Sequence, residues 1–503
     1  MLFKDELRGA GLGSGGSTLH SQGEGGTQRR SYERLKTLLD PGSFVALGQD
    51  IQAGKRLQES SIGVDNVAVG WGKINGRIVY VFAHDYSALG GAIGESSSRK
   101  ILRVLDLAIK NGAPIVGLHE SVGIQLEEGI SSLVGMAKIL HKSAMASGVI
   151  PQISIVTGPC AGTAAHHPVM SDFVIMLEGP SAMFLCGPDA VKEASGEKVT
   201  SNDLGGASVQ SQSGVAHLVA RTEEECFQLV RRLLAYLPSN NLDDPPQIAT
   251  RDDCAPDNSM LDSFAAEPDS QYDMIDVLRS IVDDGELLQI QSTWAKNVVT
   301  TFGRLNSRSI GIIASQPKEL GGALDTIGCT KAARFIRFCD AFNLPLVIFV
   351  DCPGILPAVE EEKGGVARHS SKLLYAFCEA TVPKISVITR KAYGEAYLLM
   401  CNEHVSDIRL AWPSATISVM GPIGMVKAMF ASEISRSENP ESRIKDLVRE
   451  YIERFADPRF AASKGYIDKV VVPCDTRKWL ILGLESLSAK RESRPQRKHG
   501  AFF

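Results

Sequence analysis

Glycine-containing turns recur along this chain where a short apolar strand gives way to a helix. They lie at Gly90-Gly91, Ser121–Gly123 and Gly158–Thr163, and again at Gly321-Gly322, Pro353-Gly354 and Tyr393–Ala396. Such turns point main-chain N–H groups outward at a helix start, where the dipole favours negative charge, and glycine lets a ligand approach closely. Ordinary strand–helix turns share this composition, but repetition at equivalent places favours a function. A pair of N–H groups so placed can hold an oxygen that becomes negative, such as a thioester oxygen that becomes an enolate.

No side chain near these turns indicates a different chemistry. His166 and His167 follow the third turn, but adjacent helical residues face different directions and cannot both contact one ligand. We therefore interpret these two histidines as structural. The sequence contains no G-x-S-x-G, H-E-x-x-H, G-x-x-x-x-G-K-[ST] or C-x-x-C motif. We predict no metal site.

Two halves of the chain repeat each other. Gly90 corresponds to Gly321 at a spacing of 231 residues, and Pro151 corresponds to Pro383 at a spacing of 232. A spacing that drifts so little over this length predicts two copies of one domain. We predict a flexible N-terminus over 1–30, a first domain over 31–245, a linker over 246–271 and a second domain over 272–503.

Each predicted domain alternates strands with helices. Strands are predicted at 77–83, 114–119, 309–314 and 345–350, and helices at 95–110 and 128–146. The uniformly apolar strands are typical of a sheet covered by helices on both faces. In the helix at 128–146 the predicted packing face consists of Ile130, Leu133, Val134, Ala137 and Leu140.

Composition narrows the class of protein. The 503 residues are 44% hydrophobic and 22% charged, a globular profile, and a net charge of −5 gives no support for nucleic-acid binding. The chain shows no signal peptide and no apolar run long enough to cross a membrane. With ten cysteines and no disulfide pattern, we expect a cytoplasmic protein with reduced thiols.

Several longer strings carry a family resemblance. They include LLDPGSF from Leu38, GPCAG from Gly158, LLAYLPSNN from Leu233, KAARFIRFCDAFN from Lys331 and VITRKAYG from Val387. From about Tyr32 to its C-terminus the chain resembles the carboxyltransferase (β) subunits of biotin-dependent acyl-CoA carboxylases, in the propionyl-CoA carboxylase and methylmalonyl-CoA carboxyltransferase branch. The resemblance implies an α/β fold of two tandem crotonase-like domains of the ClpP/crotonase superfamily, each a ββα spiral. It also implies a homo-oligomer, a hexamer built as a trimer of dimers.

The resemblance implies transfer of a carboxyl group between carboxybiotin and the α carbon of a short acyl-CoA. Biotin would arrive on a separate carrier protein served by a biotin carboxylase subunit, and the CoA thioester would be the substrate. By position, Gly162 and Thr163 form the acyl oxyanion hole, and Gly394, Glu395 and Ala396 form the biotin hole. Further substrate-binding positions are Gly90, Gly91, Ala92, Gly123, Cys160, Ala161, Tyr397 and Leu398. Further biotin-side positions are Pro353, Gly354, Arg390, Tyr393 and Gly421.

The chain departs from the family's pattern inside both holes. The family has a second glycine where this chain has Thr163 and where it has Glu395. A Cβ resists positive φ and enters the ligand's space, and a carboxylate repels a developing anion. Three functions therefore stay open: an acyl-CoA carboxyltransferase, a biotin-independent malonyl-type CoA decarboxylase or acyl-CoA-dependent transferase, and an inactive partner subunit.

Overall fold

The computed structural model describes residues 30–48, 66–249, 261, 262, 264 and 272–496. Nearly all of the predicted flexible N-terminus (1–30) and most of the predicted linker (246–271) lie outside the described residues. The chain divides into two compact units. The first comprises residues up to Ser147, Gln152–Gln210 and Val219–Gln228, and the second comprises Gly148–Pro151, Ser211–Leu218 and the residues from Leu229 onward.

The first of two sheets has eight strands. They are β1 (Val45–Leu47), β2 (Val67–Ile74), β3 (Arg77–His84), β4 (Ile115–Ser121), β5 (Gln152–Ala161), β6 (Phe173–Leu177), β7 (Ala182–Phe184) and β8 (Leu218–Ala220). Their order is β1-β2-β3-β4-β5-β6-β8, and β7 pairs with β5. β1, β2 and β3 are antiparallel, whereas β3 to β6 are parallel. The carboxyl ends of β3, β4 and β5 therefore meet at one edge.

The second sheet repeats this arrangement with eight further strands. They are β9 (Leu288–Ile290), β10 (Val298–Leu305), β11 (Arg308–Ser315), β12 (Leu346–Cys352), β13 (Lys384–Tyr393), β14 (Ile408–Ala411), β15 (Thr416–Ser418) and β16 (Lys469–Val470). Their order is β16-β14-β13-β12-β11-β10-β9, and β15 pairs with β13. A mixed α/β fold with two sheets is thus confirmed, as are the strands predicted at 77–83, 114–119, 309–314 and 345–350.

Helices connect and cover the strands. Those up to Tyr236 are α1 (Arg30–Leu38), α2 (Glu95–Asn111), α3 (Ile130–Ala146), α4 (His166–Met170), α5 (Pro188–Ser195), α6 (Ser201–Gly205), α7 (Ala207–Gln212) and α8 (Glu223–Tyr236). The later ones are α9 (Met274–Ile281), α10 (Thr326–Ala341), α11 (Val359–Gly364), α12 (Val366–Glu379), α13 (Glu395–Met400), α14 (Pro422–Met429), α15 (Ala431–Arg436), α16 (Pro440–Tyr451), α17 (Pro458–Ser463) and α18 (Thr476–Ser486). No helix among the described residues combines the length and apolar character that a membrane crossing requires.

The packing face predicted for α3 is wrong, although the helix itself is confirmed. Ile130, Leu133 and Val134 are exposed, and the buried face contains Ser132, Gly135, Met136 and Ile139 instead. The physical reason is close approach to α2, since a Cβ built on Gly135 would lie 2.4 Å from the Ser98 Oγ. Small residues pack the two helices tightly, and an apolar stripe is left at the surface of this chain.

Both sheets change register at one interior strand, β5 in the first sheet and β13 in the second. β5 pairs with β6 through Ile153–Val156 and then with β7 through Pro159–Ala161, and its pairing with β4 is interrupted between these segments. β13 shows the same interruption and the same change of partner. An extra residue or two in one strand bends it and redirects the residues that follow. In both sheets the glycine turn directly follows this bend.

Candidate active site

The turn at the end of β5 begins with two main-chain donors that have no acceptor within the turn itself. Gly162 has φ +59°, and Gly162–Ala165 form one 3₁₀ turn that leads into α4. The first N–H groups of a helix have no acceptor within the helix, and Gly162 and Thr163 are the first two residues of this 3₁₀ turn. A Cβ built on Gly162 would meet no atom within 4 Å. The adjacent N–H groups thus border open space, as an oxyanion hole requires.

Thr163 causes no main-chain strain. The positive φ of this turn belongs to Gly162, and Thr163 is absent from the described residues with positive φ. The objection that a Cβ at position 163 resists positive φ is therefore wrong for this chain. The Thr163 Oγ1 is buried, with less than 1 Å² exposed, and has no hydrogen-bond partner among the described residues.

The other two turns of the first unit lie beside this one. The Gly90 carbonyl accepts the Val122 N–H at 3.0 Å, and the Gly123 carbonyl accepts the Ile93 N–H at 2.8 Å. Gly91 has φ +65°, and a Cβ on it would lie 2.1 Å from the Glu120 carbonyl oxygen. A Cβ on Gly123 would lie 3.4 Å from the Ala161 carbonyl oxygen. The structure thus brings together Gly90, Gly91, Ala92, Gly123, Cys160, Ala161, Gly162 and Thr163.

A buried ion-pair network supports the end of β4. The Arg34 guanidinium donates to Glu120 at 2.5 Å and to both carboxylate oxygens of Glu223. Burial opposes the charge on Arg34, but hydrogen bonds to Glu223 and Glu120 raise its pKa above the usual value. The Glu120 side chain also occupies the space beside Gly158, where a Cβ would lie 2.6 Å from its Cγ. This network fixes the strand end that carries the second turn.

Three buried histidines lie beneath the same strand ends. The ring centroids of His84 and His119 are 5.5 Å apart, those of His119 and His167 are 5.2 Å apart, and Phe82 stacks on His167 at 5.4 Å. Burial lowers the pKa of His84 to about 3 and that of His167 to about 4, and it lowers the pKa of His119 well below its usual value. We call these three residues the histidine cluster. Its members are neutral at ordinary pH and serve as core.

The two adjacent histidines that we predicted to be structural face different directions. His167 is buried in the histidine cluster, whereas His166 is exposed. The sequence analysis did not predict the other two members of the histidine cluster, His84 and His119, or the Arg34 network. The signal that could have indicated the cluster was a polar residue near the end of an otherwise apolar strand, at each of these two positions.

The turn after β13 repeats this geometry in the second unit. Gly394 has φ +50° and precedes α13, so the N–H groups of Glu395 and Ala396 lack intrahelical acceptors. Gly394 donates its N–H to the Ser418 carbonyl at 2.9 Å. Among the described residues, neither Glu395 nor Ala396 has a positive φ. The donors that this turn offers are therefore the N–H groups of Glu395 and Ala396.

Glu395 lies among the predicted biotin-side residues. A Cβ on Gly354 would lie 3.4 Å from the Tyr393 carbonyl oxygen and 3.7 Å from a Glu395 carboxylate oxygen, and one on Gly421 would lie 3.8 Å from the Tyr393 ring. Pro353 is exposed beside Gly354. The structure thus brings Gly354, Tyr393, Glu395 and Gly421 together.

Three other predicted site residues have different surroundings from this group: Arg390, Tyr397 and Leu398. The Arg390 guanidinium stacks 4.5 Å from the centroid of the Tyr272 ring inside the unit, and Tyr272 donates to Asp351 at 3.0 Å. The Tyr397 hydroxyl donates to the Tyr466 carbonyl at 3.2 Å, while Leu398 is exposed. Arg390 therefore belongs to the buried support of this turn. Within the described residues no group of three His, Cys, Asp or Glu side chains is arranged to hold a metal.

Comparison with known proteins identifies the family. The family described as "Carboxyl transferase domain" matches residues 25–502. The chain belongs to this family. Its relatives include the carboxyltransferase subunit of propionyl-CoA carboxylase from Haloferax mediterranei, 44% identical over 97% of this chain and 96% of the relative. Another is the methylmalonyl-CoA decarboxylase subunit alpha from Veillonella parvula, 44% identical over 96% of this chain and 93% of that protein.

A solved structure is similarly close. A transcarboxylase 12S structure, described as a hexamer assembly with methylmalonyl-coenzyme A and methylmalonic acid bound, is 40% identical with a TM-score of 0.90. The match covers 94% of this chain and 92% of the other. The predicted carboxyltransferase family and enzyme class are thereby confirmed.

Proposed function

We propose that this carboxyltransferase moves a carboxyl group between carboxybiotin on a separate carrier protein and the α carbon of a short acyl-CoA such as propionyl-CoA. The observation that carries the proposal is the glycine turn at Gly162 and Thr163, whose N–H groups begin a helical turn beside open space. An acyl-CoA oxygen in that space gains negative charge when the α proton leaves. Each fixed donor aimed at such an oxygen is worth about 3 kcal/mol of barrier.

The second turn supplies donors for the other reactant. Glu395 and Ala396 present two N–H groups at the start of α13, and these suit an oxygen that becomes negative. Biotin, when bound, supplies the carboxyl group and a nitrogen that exchanges a proton with the acyl-CoA. The Glu395 carboxylate, beside Gly354, opposes negative charge there. We expect it to weaken this hole without removing its donors.

Both directions of transfer use one enolate. Microscopic reversibility requires that a hole stabilising the enolate during carboxylation also stabilises it during removal of the carboxyl group. Relatives named propionyl-CoA carboxylase and methylmalonyl-CoA decarboxylase therefore fit a single chemistry. The biotin-independent enzyme and the inactive partner subunit remain outcomes of the assay below.

We further propose that both units are crotonase-like domains related by internal duplication, with boundaries at 31–245 and 272–503. The shared strand order, the change of partner in β5 and β13 and the equivalent glycine turns support this. These boundaries differ from the compact units, because the second unit takes up residues from Leu229 onward.

The surface of α3 supports the proposed homo-oligomer. Ile130, Leu133, Val134 and the neighbouring Leu126 are exposed apolar side chains on one side of this helix. Contiguous apolar surface of this kind is typical of protein interfaces, and a relative's structure is described as a hexamer assembly. We propose a hexamer that receives biotin from a carrier protein and its carboxylase subunit. We also propose a cytoplasmic location, since none of the nine cysteines of the described residues forms a disulfide.

The test is an assay in both directions with Gly162→Ala. Purified chain receives carboxylated biotin carrier with acetyl-, propionyl- or longer acyl-CoA, or methylmalonyl-CoA with unloaded carrier. We expect wild-type transfer and a loss of about 100-fold in the variant, because the added methyl group enters the ligand space. Gly76→Ala is the matched control: Gly76 also has positive φ and no atom near a Cβ, but it lies in the β2–β3 hairpin.

Three results would contradict the proposal. Turnover of methylmalonyl-CoA without biotin would indicate the biotin-independent enzyme. Binding of acyl-CoA without any turnover would indicate an inactive partner subunit. Equal activity of the Gly162→Ala and Gly76→Ala variants would show that the first turn is not the acyl hole.

A further inference from the structure

We infer that one buried carboxylate in each unit, Glu120 in the first and Asp351 in the second, is a positioning residue for the three glycine turns of that unit. The inference rests on the proposed function and deepens it, because it assigns control of the acyl-CoA side to Glu120 and of the biotin side to Asp351. Each carboxylate acts through the main chain that carries the N–H donors, and neither is assigned a contact with a reactant.

Glu120 contacts all three glycine turns of the first unit. It directly precedes the turn at Ser121–Gly123. Its main-chain oxygen lies against Gly91, where a Cβ would be 2.1 Å away, and its side chain lies against Gly158, where a Cβ would be 2.6 Å from the Cγ. A movement of this one residue would therefore displace the first, second and third turns together.

Helix α1 holds this carboxylate and also the loop that leads into the first turn. Arg34 donates to Glu120 at 2.5 Å, and only 6% and 12% of the two side chains are exposed. Three residues earlier, on the same face of the helix, Ser31 donates to Asp85 at 3.1 Å. Asp85 follows β3, and its main-chain oxygen accepts the Ala88 N–H at 3.1 Å. One helix thus fixes the ends of two neighbouring strands, β3 and β4.

The second unit repeats this arrangement with different side chains. Asp351 stands 231 residues after Glu120, the spacing of the repeat, and its main-chain oxygen would lie 2.3 Å from a Cβ on Gly322. Just before α9, the Tyr272 hydroxyl donates to the Asp351 carboxylate at 3.0 Å. That carboxylate also accepts the Lys391 N–H on β13 at 3.2 Å. Asp351 thus reaches the strand that ends in the third turn, as Glu120 does.

The loop into the first turn of the second unit is held in the same way. Gln316, the counterpart of Asp85 at the same spacing, donates to the Asp273 carboxylate at 2.8 Å and accepts the Met274 N–H at 3.2 Å. Its main-chain oxygen accepts the Glu319 N–H at 3.0 Å. An arginine–glutamate pair in one unit and a tyrosine–aspartate pair in the other therefore make the same connection. Its repetition with different side chains indicates a requirement of the turns rather than of one ion pair.

The chemistry of an oxyanion hole explains this requirement. Its donors stabilise a developing charge only when they are fixed at hydrogen-bond distance from the reacting oxygen. Glycine turns have few side chains to hold them in place, so the rigidity must come from neighbouring groups. A misplacement of about 1 Å caused by a residue far from the chemistry can cost about 100-fold in rate. Because each carboxylate contacts the turns of one unit, each should control one reactant.

The experiment compares Glu120→Gln with Asp351→Asn, two changes that keep the shape and remove the charge. We expect Glu120→Gln to raise the KM for propionyl-CoA about tenfold or more and to leave the KM for the carboxylated carrier unchanged. Asp351→Asn should raise the KM for the carrier by a similar factor and leave the KM for propionyl-CoA unchanged. Both variants should lower kcat.

Asp283→Asn is the matched control. Asp283 is also a buried carboxylate paired with an arginine, Arg477, at 2.6 Å. It accepts the Asn306 N–H at 3.0 Å in the hairpin between β10 and β11, at the end of β11 opposite to the glycine turns. This variant should lower the melting temperature and leave kcat and both KM values unchanged. Ser31→Ala should give the pattern of Glu120→Gln at smaller size, so the test does not depend on the stability of Glu120→Gln.

A second measurement follows the turns directly. Hydrogen–deuterium exchange reports local opening of the main chain. We expect Glu120→Gln to speed exchange in all three turns of the first unit and to leave those of the second unchanged, whereas Asp351→Asn should do the reverse. The first-unit segments to follow are 88–93, 121–125 and 158–165. This comparison needs no turnover, so it decides the inference even if the wild-type chain transfers no carboxyl group, a result that would refute the proposed function alone.

Three outcomes overturn the inference. Equal changes in both KM values for Glu120→Gln would show a general loss of structure rather than positioning of one hole. Changes of the same size in Asp283→Asn would show that any buried carboxylate has this effect. Faster exchange confined to the turn next to the substituted residue would show that the carboxylate does not hold the three turns together.

Discussion

Acid should destabilise this protein through its histidine cluster, and His167→Phe should remove part of that effect. His167 is buried against Phe82 and His119, and burial lowers its pKa from 6.5 to about 4. The unfolded chain therefore binds one more proton than the folded chain between these two pH values. Stability from the neutral ring is fully present above pH 6.5 and is lost as the pH falls toward 4.

The magnitude follows from these two pKa values. A shift of one pKa unit corresponds to about 1.4 kcal/mol, so the full loss from His167 is about 3 kcal/mol. At pH 5 the expression for a single titrating group gives a loss of about 2 kcal/mol relative to pH 8. His84 and His119 titrate in the same direction, so the wild-type slope should be steeper still.

The assay is urea unfolding between pH 4.5 and pH 8, followed by circular dichroism. Carboxylates titrate in this range too, so the useful quantity is the stability difference between variant and wild type at each pH. For His167→Phe that difference should shift by about 2 kcal/mol in the variant's favour between pH 8 and pH 5. His166→Phe is the control, since this neighbouring ring is exposed and lies outside the histidine cluster. A difference for His167→Phe that does not change between pH 8 and pH 5 would refute the reasoning.

Three substitutions test buried contacts in the two units. Arg34→Met should lower the free energy of unfolding by about 3–5 kcal/mol in urea titration, because it leaves two carboxylates without their buried partner. Arg30→Met is the control and should lower it far less, because Arg30 is exposed and contacts only one of these carboxylates. Gly91→Ala should lower the melting temperature much more than Gly76→Ala does. The added methyl group at position 91 would lie 2.1 Å from a carbonyl oxygen, whereas at position 76 it meets no atom and only the positive φ is unfavourable. Lys331→Met should cost at least about 3 kcal/mol in urea unfolding, because the ammonium group bonds four main-chain carbonyls. Equal losses in either variant–control pair, or none for Lys331→Met, would contradict these packing roles.

Local pattern was enough to predict the framework of the site. The strands at 114–119 and 345–350 and the helix at 95–110 follow from apolar periodicity, and each is confirmed. The glycine turns follow from composition next to those strands. These features depend on interactions between residues that are close in the chain, which periodicity detects directly.

Other features depend on residues far apart in sequence. Arg34 reaches Glu120 and Glu223 across separations of 86 and 189 residues, and no local pattern signals such a network. The face of α3 was mistaken because apolar periodicity does not distinguish a core face from an exposed interface. Here the small residues Ser132 and Gly135 decided the packing, through the closeness they allow to α2.

The two turns resolve the question raised by Thr163 and Glu395. In both units the residue with positive φ is the retained glycine, Gly162 or Gly394, and the substituted position follows it with ordinary main-chain angles. Substitution there keeps the N–H group and changes only what the side chain adds. Thr163 adds a buried, uncharged hydroxyl, whereas Glu395 adds a carboxylate beside Gly354. A carboxylate weakens an oxyanion hole and an uncharged hydroxyl does not, so we expect the chain to hold the acyl-CoA enolate more firmly than the anion formed at the second turn.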